Sequence, residues 1–140
     1  MSLLLLFNQG PVYEQLLREA AAHNAAGRHR ECVIFAQIAA EVAADACLTR
    51  LIAKVEPQPL RAWLTAGIET TANLAQDRTR KLLNALSDTP IELEPWWQPF
   101  KENNGIRNRI AHEGEQVTAA QAESGLMAVR QLVEHLTTLT

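Results

Sequence analysis

Cysteine and aromatic residues are scarce in this chain. Its 140 residues include two cysteines, and phenylalanine, tryptophan and tyrosine together make up 5%. Cys32 and Cys47 are 15 residues apart in one predicted helix, which corresponds to about 22 Å of helical rise. They therefore cannot bond to each other within one continuous helix. We interpret both as packing residues in a reducing compartment, which excludes a disulfide-stabilised secreted scaffold.

Long apolar runs and an excess of basic charge are also missing. The run Leu3 to Phe7 has no basic leader, is about half as long as the apolar part of a signal peptide, and is far shorter than the roughly 20 residues of a membrane span. We therefore expect a cytoplasmic protein without a membrane partner. The formal net charge of −3 provides no overall field that attracts nucleic acid. Any contact with nucleic acid must be local.

The motifs of several enzyme classes are absent. The sequence has no Gly-rich phosphate loop, no Gly-x-Ser-x-Gly turn and no Cys-x-x-Cys pair. His112 and Glu113 resemble the start of a zinc-protease helix, but Gln116 stands where the second histidine ligand is needed. We therefore predict no metal site and no cofactor.

Helical periodicity covers almost the whole chain, and strand signals are nearly absent. The length suits one domain spanning residues 1–140. We predict an all-α, up-and-down bundle of four or five helices. The first two predicted helices run from Pro11 to Gly27 and from Arg28 to about Lys54. A later helix begins between Trp96 and Pro99 and ends between His112 and Gly114, and the last helix runs from the N-cap Thr118 to Leu139. Between them, residues 60–87 form either one helix or two joined near Gly67.

The second predicted helix is apolar around most of its circumference, which is typical of the central helix of a bundle. Between Val33 and Leu48 its only polar line consists of Gln37, Glu41 and Asp45, spaced four residues apart. This line faces either water or a basic site. In the second case we expect Glu41 to pair with Arg107 or Arg109, because an unpaired carboxylate is costly to bury.

The most informative stretch reads Arg-Asn-Arg-Ile-Ala-His, from Arg107 to His112. Asn108 and His112 lie one above the other on a helix, and Arg107 is long enough to reach the same space. These side chains suit metal-free RNA cleavage, in which a neutral imidazole takes the 2′-hydroxyl proton and a cation stabilises the charge on the phosphate. The leaving oxygen needs a second proton donor, which a two-fold dimer supplies from its other chain. Arg109 is a candidate for a further phosphate contact.

This stretch resembles the Arg-polar-x3-His motif of the HEPN superfamily (higher eukaryotes and prokaryotes nucleotide-binding). Arg107 matches the arginine, Asn108 the polar residue and His112 the histidine. In that family the motif lies on a late helix of a four- or five-helix bundle. Many members are metal-independent endoribonucleases that act as dimers in toxin–antitoxin and antiviral systems. The resemblance implies a homodimer, an RNA substrate and, for a toxin, an antitoxin of the nucleotidyltransferase type.

Two other interpretations stay open. Some members of the family keep the fold without being nucleases, so the chain is alternatively a non-catalytic interaction module that binds a partner protein or a nucleotide. Ordinary helix capping also places arginine and histidine in a last turn before a glycine. The residues that match the motif lie within six positions, 107–112. The predicted helical architecture resembles that of the family over most of the chain.

Overall fold

The computed structural model describes residues 11–67 and 72–139, and within these ranges it contains helices and no strands. The predicted all-α fold class is therefore confirmed. These ranges contain six α-helices rather than the four or five predicted. They are α1 (Val12–Ala25), α2 (His29–Ile52), α3 (Gln58–Gly67), α4 (Asp77–Ser87), α5 (Trp97–Glu113) and α6 (Ala119–Thr138), with a 3₁₀-helix (Ile91–Leu93) before α5.

Helix α2 is the centre of the bundle, and α1, α5 and α6 pack around it. Its alanines are the reason that neighbouring helices come close, since Ala36, Ala39, Ala40 and Ala43 are all at most 4% exposed. Its most apolar window has a mean hydropathy of 1.6, high enough for a membrane span, but 61% of that window is buried inside the protein. This burial is what a core helix shows.

Both cysteines are free and buried on α2, as predicted for packing residues. The thiol of Cys32 lies 3.8 Å from the carbonyl oxygen of Ala122, and the thiol of Cys47 lies 3.7 Å from that of Leu136. These contacts show that α2 and α6 run in the same direction. Burial raises the pKa of the Cys32 thiol to about 11, so Cys32 is a protonated packing residue at neutral pH.

The segment that the sequence left undecided forms two helices. Helix α3 ends at Gly67 and α4 begins at Asp77, and residues 72–76 between them are not helical. Residues 68–71, part of the predicted range 60–87, lie outside the described residues. Asn73 makes one local and one tertiary contact in the break: it accepts a hydrogen bond from the Ala75 amide and donates one to Asn104 of α5, both at 3.0 Å. A contact with α5, which local sequence does not reveal, therefore maintains the break.

The predicted start of the last helix is confirmed. The Thr118 hydroxyl accepts from the Gln121 amide at 3.1 Å, and the Gln121 side chain accepts from the Thr118 amide at 2.9 Å, which is a capping box. Helices α5 and α6 run in opposite directions, as expected from their short connection. Near the start of α5, Trp96 packs on His135, and further along Asn103 lies against Gly125.

We predict that Gly125→Ala destabilises the protein. A β-carbon at Gly125 would overlap the Asn103 carboxamide, which is 1% exposed and donates to the Gln37 oxygen at 3.3 Å. The overlap should outweigh the higher helix propensity of alanine and lower the free energy of unfolding by about 1–3 kcal/mol. Urea denaturation measures the change. In the control Gly67→Ala, the added carbon has nothing within 4 Å, so equal losses in both variants would contradict the prediction.

Candidate functional site

The polar line of α2 turns toward α5 rather than toward water. Gln37 is 0% exposed and Glu41 is 8% exposed, whereas Asp45, one turn further, is half-buried. Of the two predicted alternatives, the basic site is therefore correct for Glu41. A buried carboxylate needs a nearby cation or several hydrogen bonds to stay ionised, and α5 provides the cation.

Glu41 forms an ion pair with Arg107. The Arg107 Nη2 atom donates to Glu41 Oε1 at 3.0 Å, and the two side chains are 27% and 9% exposed. The predicted pairing is thus present, and Arg107 rather than Arg109 is the partner. The buried Nε atom of Arg107 has no hydrogen-bond partner among the described residues. The guanidinium is held against α2 at one edge, with part of its surface accessible to solvent.

One turn before this pair, a set of amide side chains joins α2, α5 and the segment before α4. Gln37 Nε2 donates to Asn104 Oδ1 at 3.2 Å, Asn103 Nδ2 donates to Gln37 Oε1 at 3.3 Å, and Asn73 Nδ2 donates to Asn104 Oδ1 at 3.0 Å. We call these four residues the amide network. Because the network fixes the register of α5 against α2, it also fixes where Arg107 lies.

Sequence reasoning missed the amide network, although a signal for it existed. Gln37 precedes Glu41 by four residues on α2, and Asn103 precedes Arg107 by four residues on α5. Residues four apart lie on the same side of a helix. Two helices that pair through Glu41 and Arg107 and run in the same direction at that contact would therefore bring Gln37 and Asn103 together one turn earlier.

Asn108 and His112 lie on the solvent side of α5. Both side chains are exposed, and no hydrogen bond joins either one to another described residue. His112 follows Arg107 by five residues, which on a helix corresponds to about 7.5 Å of rise and about 140° of rotation. Arg107 turns toward α2 while His112 turns toward water. Within one chain, the three motif side chains therefore form no common hydrogen-bonded cluster.

Arg109 is bound locally. Its Nε atom donates to both carboxylate oxygens of Glu115 at 3.0 Å, and the two side chains are 42% and 32% exposed. The amide of Glu115 in turn lies 3.5 Å from the Arg109 carbonyl, and Gly114 adopts a left-handed conformation at φ 64°. Ordinary helix termination accounts for this pair. The phosphate contact assigned to Arg109 stays a prediction.

The other three histidines are engaged elsewhere. His135 packs its ring 5.6 Å from that of Trp96, at the opposite end of α5 from His112. His23 and His29 lie at the α1–α2 junction, where the Nδ1 atom of His23 accepts a hydrogen bond from Arg28 at 2.8 Å and the Nδ1 atom of His29 hydrogen-bonds Asn24 at 2.6 Å. Within the described ranges, no group of three or more His, Cys, Asp or Glu side chains is placed to hold a metal ion.

Comparisons with known protein families, curated proteins and solved structures found no match to this chain. The resemblance to HEPN proteins therefore stays a prediction from residues 107–112 and the helical architecture.

We predict that Glu41→Gln destabilises the protein more than Asp45→Asn does. The first change leaves the partly buried Arg107 cation without its counter-charge, which should cost about 1–3 kcal/mol. Asp45 is more exposed, and its change should stay within about 0.5 kcal/mol. Urea denaturation of Glu41→Gln, Arg107→Gln and the double variant completes the test. Additive losses would show that the pair contributes no coupling energy.

Proposed function

We propose that this protein is a metal-independent endoribonuclease of the HEPN type. The observation that carries the proposal is the ion pair between the buried Glu41 and Arg107. It places a cation of fixed orientation on the helix that also carries the exposed Asn108 and His112. Helix capping explains Arg109 but not Arg107, whose partner is 66 residues away in the sequence.

In the proposed mechanism His112 removes the proton from a 2′-hydroxyl of the RNA, and the 2′-oxygen attacks the adjacent phosphorus. Arg107 stabilises the charge that develops on the phosphate oxygens, and Asn108 orients the phosphate or the imidazole. The bond to the 5′-oxygen then breaks, and that oxygen takes a proton from an acid. The products are a 2′,3′-cyclic phosphate and a 5′-hydroxyl. Glu41 is a positioning residue, because it acts only through Arg107.

The acid is best supplied by a second copy of the chain. None of the other histidines contacts His112 in the described structure, and Arg107 and His112 point in different directions around α5. A two-fold dimer with α5 at its interface brings His112 of one protomer near Arg107 and His112 of its partner. Each composite site then has a base, an acid and a cation.

The biological setting follows from the resemblance alone. We propose a cytoplasmic toxin or antiviral-defence effector whose activity is restrained until it is needed. If it is a toxin, its partner is an antitoxin of the nucleotidyltransferase type.

The second candidate is a non-catalytic interaction module that binds a partner protein or a nucleotide. It is favoured by the charge balance at the site: Arg107 is paired with Glu41 and Arg109 with Glu115. Both arginines thus already have a counter-charge, as structural residues do. A substrate phosphate would have to share Arg107 with Glu41.

We predict that the protein cleaves single-stranded RNA in excess EDTA, leaves a 2′,3′-cyclic phosphate and does not cleave DNA. His112→Ala should lower activity at least about a hundredfold, without unfolding the protein, because His112 is exposed and unbonded among the described residues. Arg107→Ala should lower activity by a similar factor, and Glu41→Gln by a smaller one. His29→Gln serves as a histidine control. Full activity in His112→Ala, or cleavage that EDTA abolishes, would falsify the mechanism.

Mixed dimers test whether the site is shared. Inactive Arg107→Ala chains combined with inactive His112→Ala chains should regain part of the activity, because one composite site then combines Arg107 of one chain with His112 of the other and lacks only the second histidine. The regained activity should therefore stay below that of the wild type. Each variant alone provides the control, and sedimentation confirms that the mixed species is a dimer. Two independent sites would regain no activity, and a monomer would rule out the shared site.

A further inference from the structure

Two of the three lysines of the chain lie where α4 meets the start of α5. The junction is made by Arg80, whose guanidinium carbon is 5.3 Å from the centre of the Trp97 ring. Arg80 also hydrogen-bonds Asp77 at 2.5 Å and lies 3.6 Å from a carboxylate oxygen of Glu92. Its side chain is only 14% exposed, so Arg80 connects α4 to α5 and is not available to a ligand. Lys81 follows Arg80, and Lys101 follows Trp97 by one helical turn.

Lys81 and Lys101 carry charge that no close partner neutralises. Both are exposed, and neither forms an ion pair among the described residues. Asp77 is a neighbour of both lysines. The hydrogen bond and charge of Arg80 hold the pKa of Asp77 below its usual range, and the charges of Lys81 and Lys101 lower that pKa further. Asp77 is already bound to Arg80. The exposed Arg78, one turn before Lys81 on α4, adds a third positive charge.

The same surface continues along α5 to the candidate site. Lys101, Asn108 and His112 are seven and four residues apart and all exposed, a spacing that places them on one side of a helix. From Lys101 to His112 the axial distance is about 16 Å. Asn103 and Arg107 of α5 instead face α2. The solvent side of α5 therefore begins at a cationic cluster and ends at the histidine of the motif.

We propose that Arg78, Lys81 and Lys101 bind the phosphates of a single-stranded RNA and guide it along α5 to Asn108 and His112. This proposal rests on the proposed ribonuclease function. Charge complementarity supports it, because Arg78, Lys81 and Lys101 are exposed cations that form no ion pair among the described residues. Trp96 and Trp97 are buried, each 4% exposed, and offer no platform on which bases could stack. Binding should therefore depend on phosphate charge and little on base sequence.

The test measures binding separately from cleavage. All variants carry His112→Ala, so that a fluorescent 12-nucleotide RNA stays intact, and fluorescence anisotropy gives its Kd between 50 and 200 mM NaCl. Lys81→Gln/Lys101→Gln is compared with Lys54→Gln, which removes the third lysine, exposed in the turn after α2 and outside the cluster. Each lost phosphate contact lowers the slope of log K against log salt by about 0.7 for single strands.

We expect the double variant to bind more weakly than the control and to lose about 1.4 from the slope, so that the affinity difference shrinks about sevenfold between 50 and 200 mM NaCl. Adding Arg78→Gln should lower the slope of log K against log salt by about the same amount again. Single-stranded DNA should compete for the cluster without being cleaved, because the cluster contacts phosphates rather than the 2′-hydroxyl.

The outcomes separate this proposal from the proposed function. If the wild type cleaves RNA but Lys81→Gln/Lys101→Gln binds RNA as tightly as the control does, the proposed phosphate binding by the cluster is overturned. The proposed ribonuclease function then still stands. Lysine-dependent RNA binding without any cleavage would support the path and overturn the nuclease in favour of an RNA-binding module. If the Lys54→Gln control binds no RNA at 50 mM NaCl, the path is overturned.

Discussion

A buried carboxylate on a nearly apolar helix is the constraint on which the rest of this structure depends. Helix α2 is enclosed by its neighbours, yet it carries Gln37 and Glu41 on one side. Burying these groups without partners would be unfavourable. Helix α5 therefore has to present a matching set of polar groups at the same spacing, which Asn103, Asn104 and Arg107 do. The position of the candidate site is a consequence of this matching.

The two arginines of the motif stretch have different structural roles. Arg109 closes the end of α5 by binding Glu115 in the following loop. Arg107 instead reaches across the bundle to Glu41. The Arg109 contact lies at the end of α5, whereas the Arg107 contact is made to another helix. This distinction is the strongest structural reason to treat Arg107 as more than a capping residue, and it makes Glu41 central to any activity of the site.

The same division of roles holds among the basic residues of α4 and α5. Arg80 is enclosed between Asp77, Glu92 and Trp97 and stabilises the junction of α4 with α5. Lys81, beside it in sequence, remains exposed. A planar guanidinium suits the enclosed position because it stacks on an aromatic ring and binds two carboxylates at once. An ammonium group on a flexible stem suits a surface that contacts phosphates.

The sequence by itself determined the all-α class, the bounds of most helices, the capping box at Thr118 and the buried thiols, because these follow from local periodicity, local hydrogen bonds and composition. It also limited the candidate partners of Glu41 to two arginines, Arg107 and Arg109. Only the tertiary structure decided between Arg107 and Arg109, because residues two apart on a helix point about 200° apart and the side of α5 that packs against α2 decides which arginine reaches Glu41. It alone decided that α3 and α4 are separate helices, since Asn73 holds the break through a contact with Asn104. It also decided that His112 faces solvent while Arg107 faces α2, because that difference depends on which side of α5 packs against the core.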